Sequence, residues 1–218
     1  MTLAGALGRY ARVRSRERDG DRCALCAAKL GEPHPHVVEL AQRTLACACH
    51  ACALLFADEG VSGARYRTVP DRVLVDPAFA LTDGEWAALQ IPVGLAFLVR
   101  RTPEPTWTAC YPSPAGALES SLSAEALAPL VARSRLLSIV EPDVEALLFR
   151  RGVGRLRDGG EACVLAPLSA CYELVGLVRR HWKGFDGGNL AWQAIDAFFA
   201  ALRARSRPIP AALTGGPR

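Results

Sequence analysis

The sequence predicts an α+β protein in two parts, a small N-terminal module built on cysteine and a larger domain with a mostly antiparallel sheet. Three observations predict it. Five of the eight cysteines crowd into residues 23–52, four of them in two C-x-x-C pairs. Downstream, short apolar runs come in pairs across turn-forming residues, as in antiparallel hairpins. The helical patterns are interposed between these pairs without the strand–helix–strand rhythm of a parallel sheet. With 218 residues, 50% of them apolar, the chain can bury one small module and one domain of about 150 residues.

The module opens with Cys23-Ala-Leu-Cys26 and closes with Cys47-Ala-Cys49-His50-Ala-Cys52. Each C-x-x-C knuckle sets two thiolates on one tight turn, so two knuckles brought together make a tetrahedral cage of four sulfurs. Such a cage suits Zn²⁺, which accepts four thiolates and has no redox chemistry of its own. The expected metal ligands are Cys23, Cys26, Cys49 and Cys52. Between the knuckles, residues 36–40 and 43–47 read as two short strands turning at Ala41-Gln42. Residues 53–57 contain no helix breaker and extend a helix from Cys49 or His50. Knuckle, hairpin, then a knuckle at a helix start is the layout of a treble-clef-like zinc module, and the helix N-terminus favours thiolate there. Cys47 is read as a fifth thiol near the metal or as apolar filler, and His50 as pointing away; both are taken as bystanders. Iron is the rival metal, but the Gly or Pro usual beside rubredoxin-type knuckles is absent.

The expected division is a basic lead-in over 1–22, the zinc module over 23–60, an α+β domain over 65–205 and a flexible tail over 206–218. Arg9, Arg12, Arg14, Arg16, Arg18 and Arg22 make the lead-in basic, but Glu17, Asp19 and Asp21 dilute it. The net charge of +4 is carried almost wholly by arginine, since Lys29 and Lys183 are the only lysines. It therefore points weakly to any partner. Asp58 and Glu59 read as solvated residues at a helix end, and Gly60 and Gly63 as a linker. No apolar run reaches the ~20 residues that span a bilayer. The first residues lack the basic-then-apolar order of a signal peptide. Clustered knuckle cysteines without an export signal predict a reducing cytoplasm and metal binding, not disulfides.

In the larger domain, residues 65–69 and 72–75 read as strand segments broken by Pro70-Asp71. Thr82 with Glu85 is a capping box opening a helix over 83–90. Residues 93–101 form a strand with Val93, Leu95, Phe97 and Val99 on one face, and 106–111 are its hairpin partner. The Pro-rich run 112–116 is expected to end that hairpin as a rigid loop. Ser123 caps a helix to about Arg133 despite Pro129. Residues 144–150 and 161–166 pair across the glycines of 152–160. Ser169 is expected to cap a helix reaching Trp182, and a last helix, 189–205, buries Trp192, Ile195, Phe199 and Leu202.

Catalytic groups are not expected. Cys171 and His181 would stand about 15 Å apart along one helix, while Cys110 and Cys163 fall in strands as core residues. Neither Gly152-Val153-Gly154 nor Asp186-Gly187-Gly188 has dinucleotide or phosphate-loop spacing. No cofactor beyond Zn²⁺ is expected.

Six stretches carry a resemblance: Cys23 to Cys26, Cys47 to Phe56, Gln90 to Phe97, Tyr111 to Gly116, Ala170 to Gly176 and Trp182 to Gly188. Over about residues 23–205 the chain resembles an uncharacterised bacterial family often encoded beside nickel–iron hydrogenase genes. That family favours arginine at the position of His50, which argues against His50 as a ligand. The resemblance implies a non-catalytic accessory protein whose partner is a hydrogenase subunit or maturation factor. The loops at 112–117 and 183–188 are the expected contacts. Two other classes compete. A nucleic-acid-binding regulator would need a basic face on the module, yet residues 23–52 hold only Lys29 and Arg43. An iron-binding redox protein would show itself by colour.

Overall fold

A three-stranded and a seven-stranded sheet organise the described residues, which in this computed structural model are 22–57, 65–89, 94–151, 162–184 and 187–209. The first sheet consists of β1 (His36–Glu39), β2 (Thr44–Cys47) and β3 (Tyr66–Thr68), in the order β2-β1-β3 and antiparallel throughout. Arg43, at φ 54°, makes the left-handed step into β2. The short helix α1 (His50–Leu55) follows β2. From sequence, residues 65–69 open the larger domain. Instead Tyr66–Thr68 completes the first sheet, with Thr68 opposite Val37 and its hydroxyl donating to Ala53 O at 2.6 Å. The partner of that strand lies some 30 residues upstream, beyond any local signal.

The second sheet contains β4 (Leu74–Val75), β5 (Leu95–Arg101), β6 (Thr106–Ser113), β7 (Gly116–Ser121), β8 (Glu145–Arg150), β9 (Ala162–Pro167) and β10 (Arg207–Pro208). Its order is β10-β4-β9-β8-β5-β6-β7, and only the β10–β4 pairing is parallel. The expected α+β class with a mostly antiparallel sheet is therefore what the chain forms. β10 lies in the stretch read from sequence as a tail, and Ile209 N–H donates to Val75 O at 3.0 Å.

Five further helices cover this sheet: α2 (Asp83–Ala88), α3 (Ala124–Arg133), α4 (Arg135–Ile139), α5 (Leu168–His181) and α6 (Gly188–Arg205). Because side chains alternate along a strand, the central strands serve two cores. Leu95, Phe97, Val99, Ala146, Leu148, Val164 and Ala166 pack with α5 and α6. Ala96, Leu98, Leu147, Phe149 and Leu165 pack with α3 and α4. Val38 of β1 and Val69 belong to the first of these cores, so the small sheet is docked on the large one.

Several expectations needed correction. The Pro-rich run is no terminating loop: β6 runs through Pro112, and Ser113 faces Gly116 across a tight turn into β7. Pro112 is tolerated because β5 pairs only as far as Cys110, so its missing N–H faces no second strand. The first-turn cap of α5 is not Ser169; the helix starts at Leu168 directly from the last residue of β9, with no side-chain cap. Helix α4 was not foreseen, being five residues long. The capping box formed as read, Glu85 N–H donating to Thr82 Oγ1 at 3.2 Å and Thr82 N–H to Glu85 Oε2 at 2.8 Å. The lead-in before Arg22, Asp58, Glu59, Gly60, Gly63, residues 90–93 and the glycines of 152–160 lie outside the described residues. Among the described residues no helix is long and apolar enough to cross a membrane.

Candidate metal centre

The first knuckle is a closed turn of backbone. Cys23 N–H donates to Ala28 O at 2.8 Å, Ala27 N–H to Cys23 O at 2.9 Å, and Ala27 takes a left-handed φ of 60°. Ala24 N–H donates to Cys47 O at 2.9 Å, which stitches this turn to the end of β2. The second knuckle begins at the cap of α1, where Cys52 N–H points at Cys49 Sγ from 3.5 Å. A cysteine sulfur thus stands where an Asp or Ser oxygen usually caps a helix, in the positive field of its N-terminus.

The result brings the four expected residues together. The Sγ atoms of Cys23, Cys26, Cys49 and Cys52 all lie within 4.8 Å of one another. Cys26 and Cys49 are 3.7 Å apart at sulfur. Four thiolates at 2.3 Å around one ion would stand about 3.8 Å apart, so the donor set fits a tetrahedral ion of zinc's size. Cys23 is buried with Val37, Ala48 and Ala53, while Cys26 is exposed.

The electrostatics of the four thiols favour a cation among them. Burial opposes ionisation of Cys23, but the N–H groups of Cys49, Cys26 and Leu25 outweigh it and bring the thiol down to about 6. Cys52, crowded by the thiols of Cys26 and Cys49, is pushed up to about 12. Neighbouring thiolates cannot all ionise without a positive ion between them. A metal entering the cage therefore displaces protons, and its binding strengthens as pH rises.

His50 is exposed at the start of α1 and is not part of the cluster. Cys47 belongs elsewhere. Its Sγ and a ring nitrogen from each of His34 and His36 lie within 4.8 Å of one another, a second group that sequence reading missed. A signal for it existed: the expected hairpin with its turn at 41–42 already sets residue 36 opposite 47, and 34 shares the face of 36.

The other three cysteines sit in the large domain. Cys110 and Cys171 are buried in its first core and Cys163 packs against the second. Burial pushes the Cys110 thiol up to about 12 and raises those of Cys163 and Cys171. The expected contact loops are partly visible. Pro114 and Ala115 form the exposed tip of the β6–β7 hairpin, and Lys183 and Gly184 are exposed, while 185–186 fall outside the described residues.

Residues 22–206 match the family described as a family of unknown function, DUF5947. No curated protein and no solved structure matches the chain.

Proposed function

The chain belongs to the DUF5947 family, and from its cysteine cluster we propose a zinc-stabilised accessory protein that acts by binding another protein, without turning over a substrate. The observation that carries this reading is the mutual approach of the four Sγ atoms within 4.8 Å. Four protein sulfurs would complete the coordination of Zn²⁺ and leave no position for water, which is the mark of a structural site. The metal's task is then to fold a segment too small to bury an adequate core by itself.

Binding needs a surface, and α1 supplies one. Leu54 and Leu55 are 75% and 58% exposed, an apolar pair on a helix anchored by the cage. Paired exposed leucines suit a protein partner better than a phosphate backbone. The resemblance to proteins encoded beside nickel–iron hydrogenase genes makes a hydrogenase subunit or maturation factor the partner we infer.

Metal analysis of the purified full chain should find one zinc retained in the cage, and visible absorbance from iron–thiolate bonds would overturn the assignment of the metal. Deleting the gene in its native host should lower hydrogenase activity. The Leu54→Asp/Leu55→Asp variant should fail to restore it while keeping its zinc. Normal activity in the deletion strain would remove the hydrogenase from the proposal.

A further inference from the structure

The strand register that places the second knuckle also builds a different donor set beside it. His36 and Cys47 are direct partners across the β1–β2 hairpin. His34 lies two residues before His36, and Ala48 N–H donates to Pro35 O at 2.9 Å, which prolongs the pairing through this stretch. In extended chain, residues two apart share a face, and residues paired across strands have Cβ atoms about 5 Å apart. Two imidazoles and a thiol therefore converge, with one donor atom from each inside a 4.8 Å circle. The imidazole rings of His34 and His36 are 5.0 Å apart at their centroids, tilted by 37°.

The state of His34 indicates what the convergence is for. Its Nδ1 lies 3.1 Å from Gly31 O. A carbonyl only accepts, so Nδ1 carries a proton, and in the neutral imidazole Nε2 then carries the lone pair. That Nε2 is shielded from solvent and has no hydrogen-bond partner among the described residues. A buried acceptor without a donor costs stability unless something fills the place. An imidazole fixed by an Nδ1–H···O=C bond, with Nε2 presented to neighbouring donors, is how metal-bound histidines are held.

We propose that His34, through Nε2, together with His36 and Cys47, forms a second metal site, separate from the four-cysteine cage, for a borderline divalent transition ion such as Zn²⁺ or Co²⁺. Two imidazoles and one thiolate select such ions over Mg²⁺ and Ca²⁺, which require oxygen. Three protein donors leave a tetrahedral ion one position for an outside ligand. His34 and His36 line an open cleft of about 870 Å³ between the small sheet and α5, which also presents His50, Asp71, Tyr172 and Glu173. An outside ligand would approach from that cleft, on the side of the two histidines. An ion so held exchanges more readily than one enclosed by four thiolates.

The test is titration of full-length protein, its cage already holding zinc, with Co²⁺, followed by visible absorption. One further equivalent should bind, with the intense tetrahedral bands and single-thiolate charge transfer of an N₂S site. His34→Ala, His36→Ala and Cys47→Ala should each lose that equivalent while keeping the cage zinc, which also reports that the module is folded. His50→Ala should bind Co²⁺ as the parent does. Absence of a second equivalent in the parent, or its persistence in the His34→Ala/His36→Ala double variant, would overturn the proposal.

Discussion

Arg72 donates from Nε and Nη2 to the two carboxylate oxygens of Glu145, at 2.6 and 2.8 Å, and Glu145 is wholly buried at the start of β8. The same carboxylate accepts Glu141 N–H at 2.9 Å, and Arg72 reaches Ile139 O at 3.2 Å. One ion pair thus fastens the segment entering β4 to the end of α4 and the first residue of β8. Arg72→Ala should strand a buried carboxylate, at a cost of about 3–5 kcal/mol. Glu145→Gln should cost less, about 1–2 kcal/mol, because the group left behind is neutral and still accepts hydrogen bonds. Urea unfolding of the two variants tests the order; equal losses would show that the charge itself matters little.

Serine at Cys23, Cys26, Cys49 or Cys52 should release the cage metal, whereas Cys47→Ser should retain it. Metal content after dialysis decides. Loss of cage zinc in Cys47→Ser as complete as in Cys49→Ser would show that Cys47 is a cage ligand.

Chelation should open the small sheet first, so limited proteolysis of the stripped protein should cut within 23–60 before the large sheet. Val38 and Val69 sit in the core under α5 and α6, so the thermal midpoint of the whole chain should fall as well. An unchanged midpoint would mean that the small sheet contributes nothing to that core.

Glu85 predicts an acid limb. Burial works against its ionised form, but Thr82 N–H, the Thr82 hydroxyl and the Arg133 guanidinium outweigh burial and hold the carboxyl below its usual value. A carboxyl lowered on folding stabilises above its unfolded value of about 4.3, and that stability is lost as pH falls through the folded value. Glu85→Gln should cost about 1 kcal/mol at neutral pH and should flatten the dependence of stability between neutral and acid pH. The parent and variant unfolding curves should converge in acid; a constant gap at all pH values would exclude the carboxylate as the cause.

Gly187 caps α6 at φ +84°, and a Cβ there would meet the Trp182 indole at 3.0 Å. Trp182 is itself held by Gly184 O and stacks edge-on against Trp192. Gly187→Ala should cost about 2 kcal/mol from the left-handed backbone and the clash together, with a change in tryptophan emission. Unaltered emission and stability would show that the turn rearranges freely.

What could be read from sequence was what lies close together in it. Each knuckle and the Thr82–Glu85 box span a few residues, β8 and β9 are successive strands in the chain, and each formed. β7 escaped because Glu119, Ser120 and Ser121 are exposed on the sheet's last strand, where apolar alternation has nothing to bury against. β3 was legible as a strand, but its place in the first sheet was not, because its partner, β1, lies across the entire second knuckle. The His34–His36–Cys47 group escaped for another reason. It joins His34, which precedes β1, to residues on two different strands, and no single stretch of sequence carries all three donors.

The order of strands in the large sheet also dictates a timetable during synthesis. The small sheet is complete once Thr68 has been made, and its four sulfurs are all present by then. β4, a few residues later, must wait for β9 at 162–167 before it has an antiparallel neighbour, and for Arg207–Pro208 before its outer edge is covered. A chain emerging from the ribosome therefore carries both cysteine knuckles for roughly a hundred residues of elongation while the body of the protein is still open. With zinc held as proposed, ion supply at that stage, ahead of any partner, would set whether the nascent chain has an ordered end on which the later strands assemble.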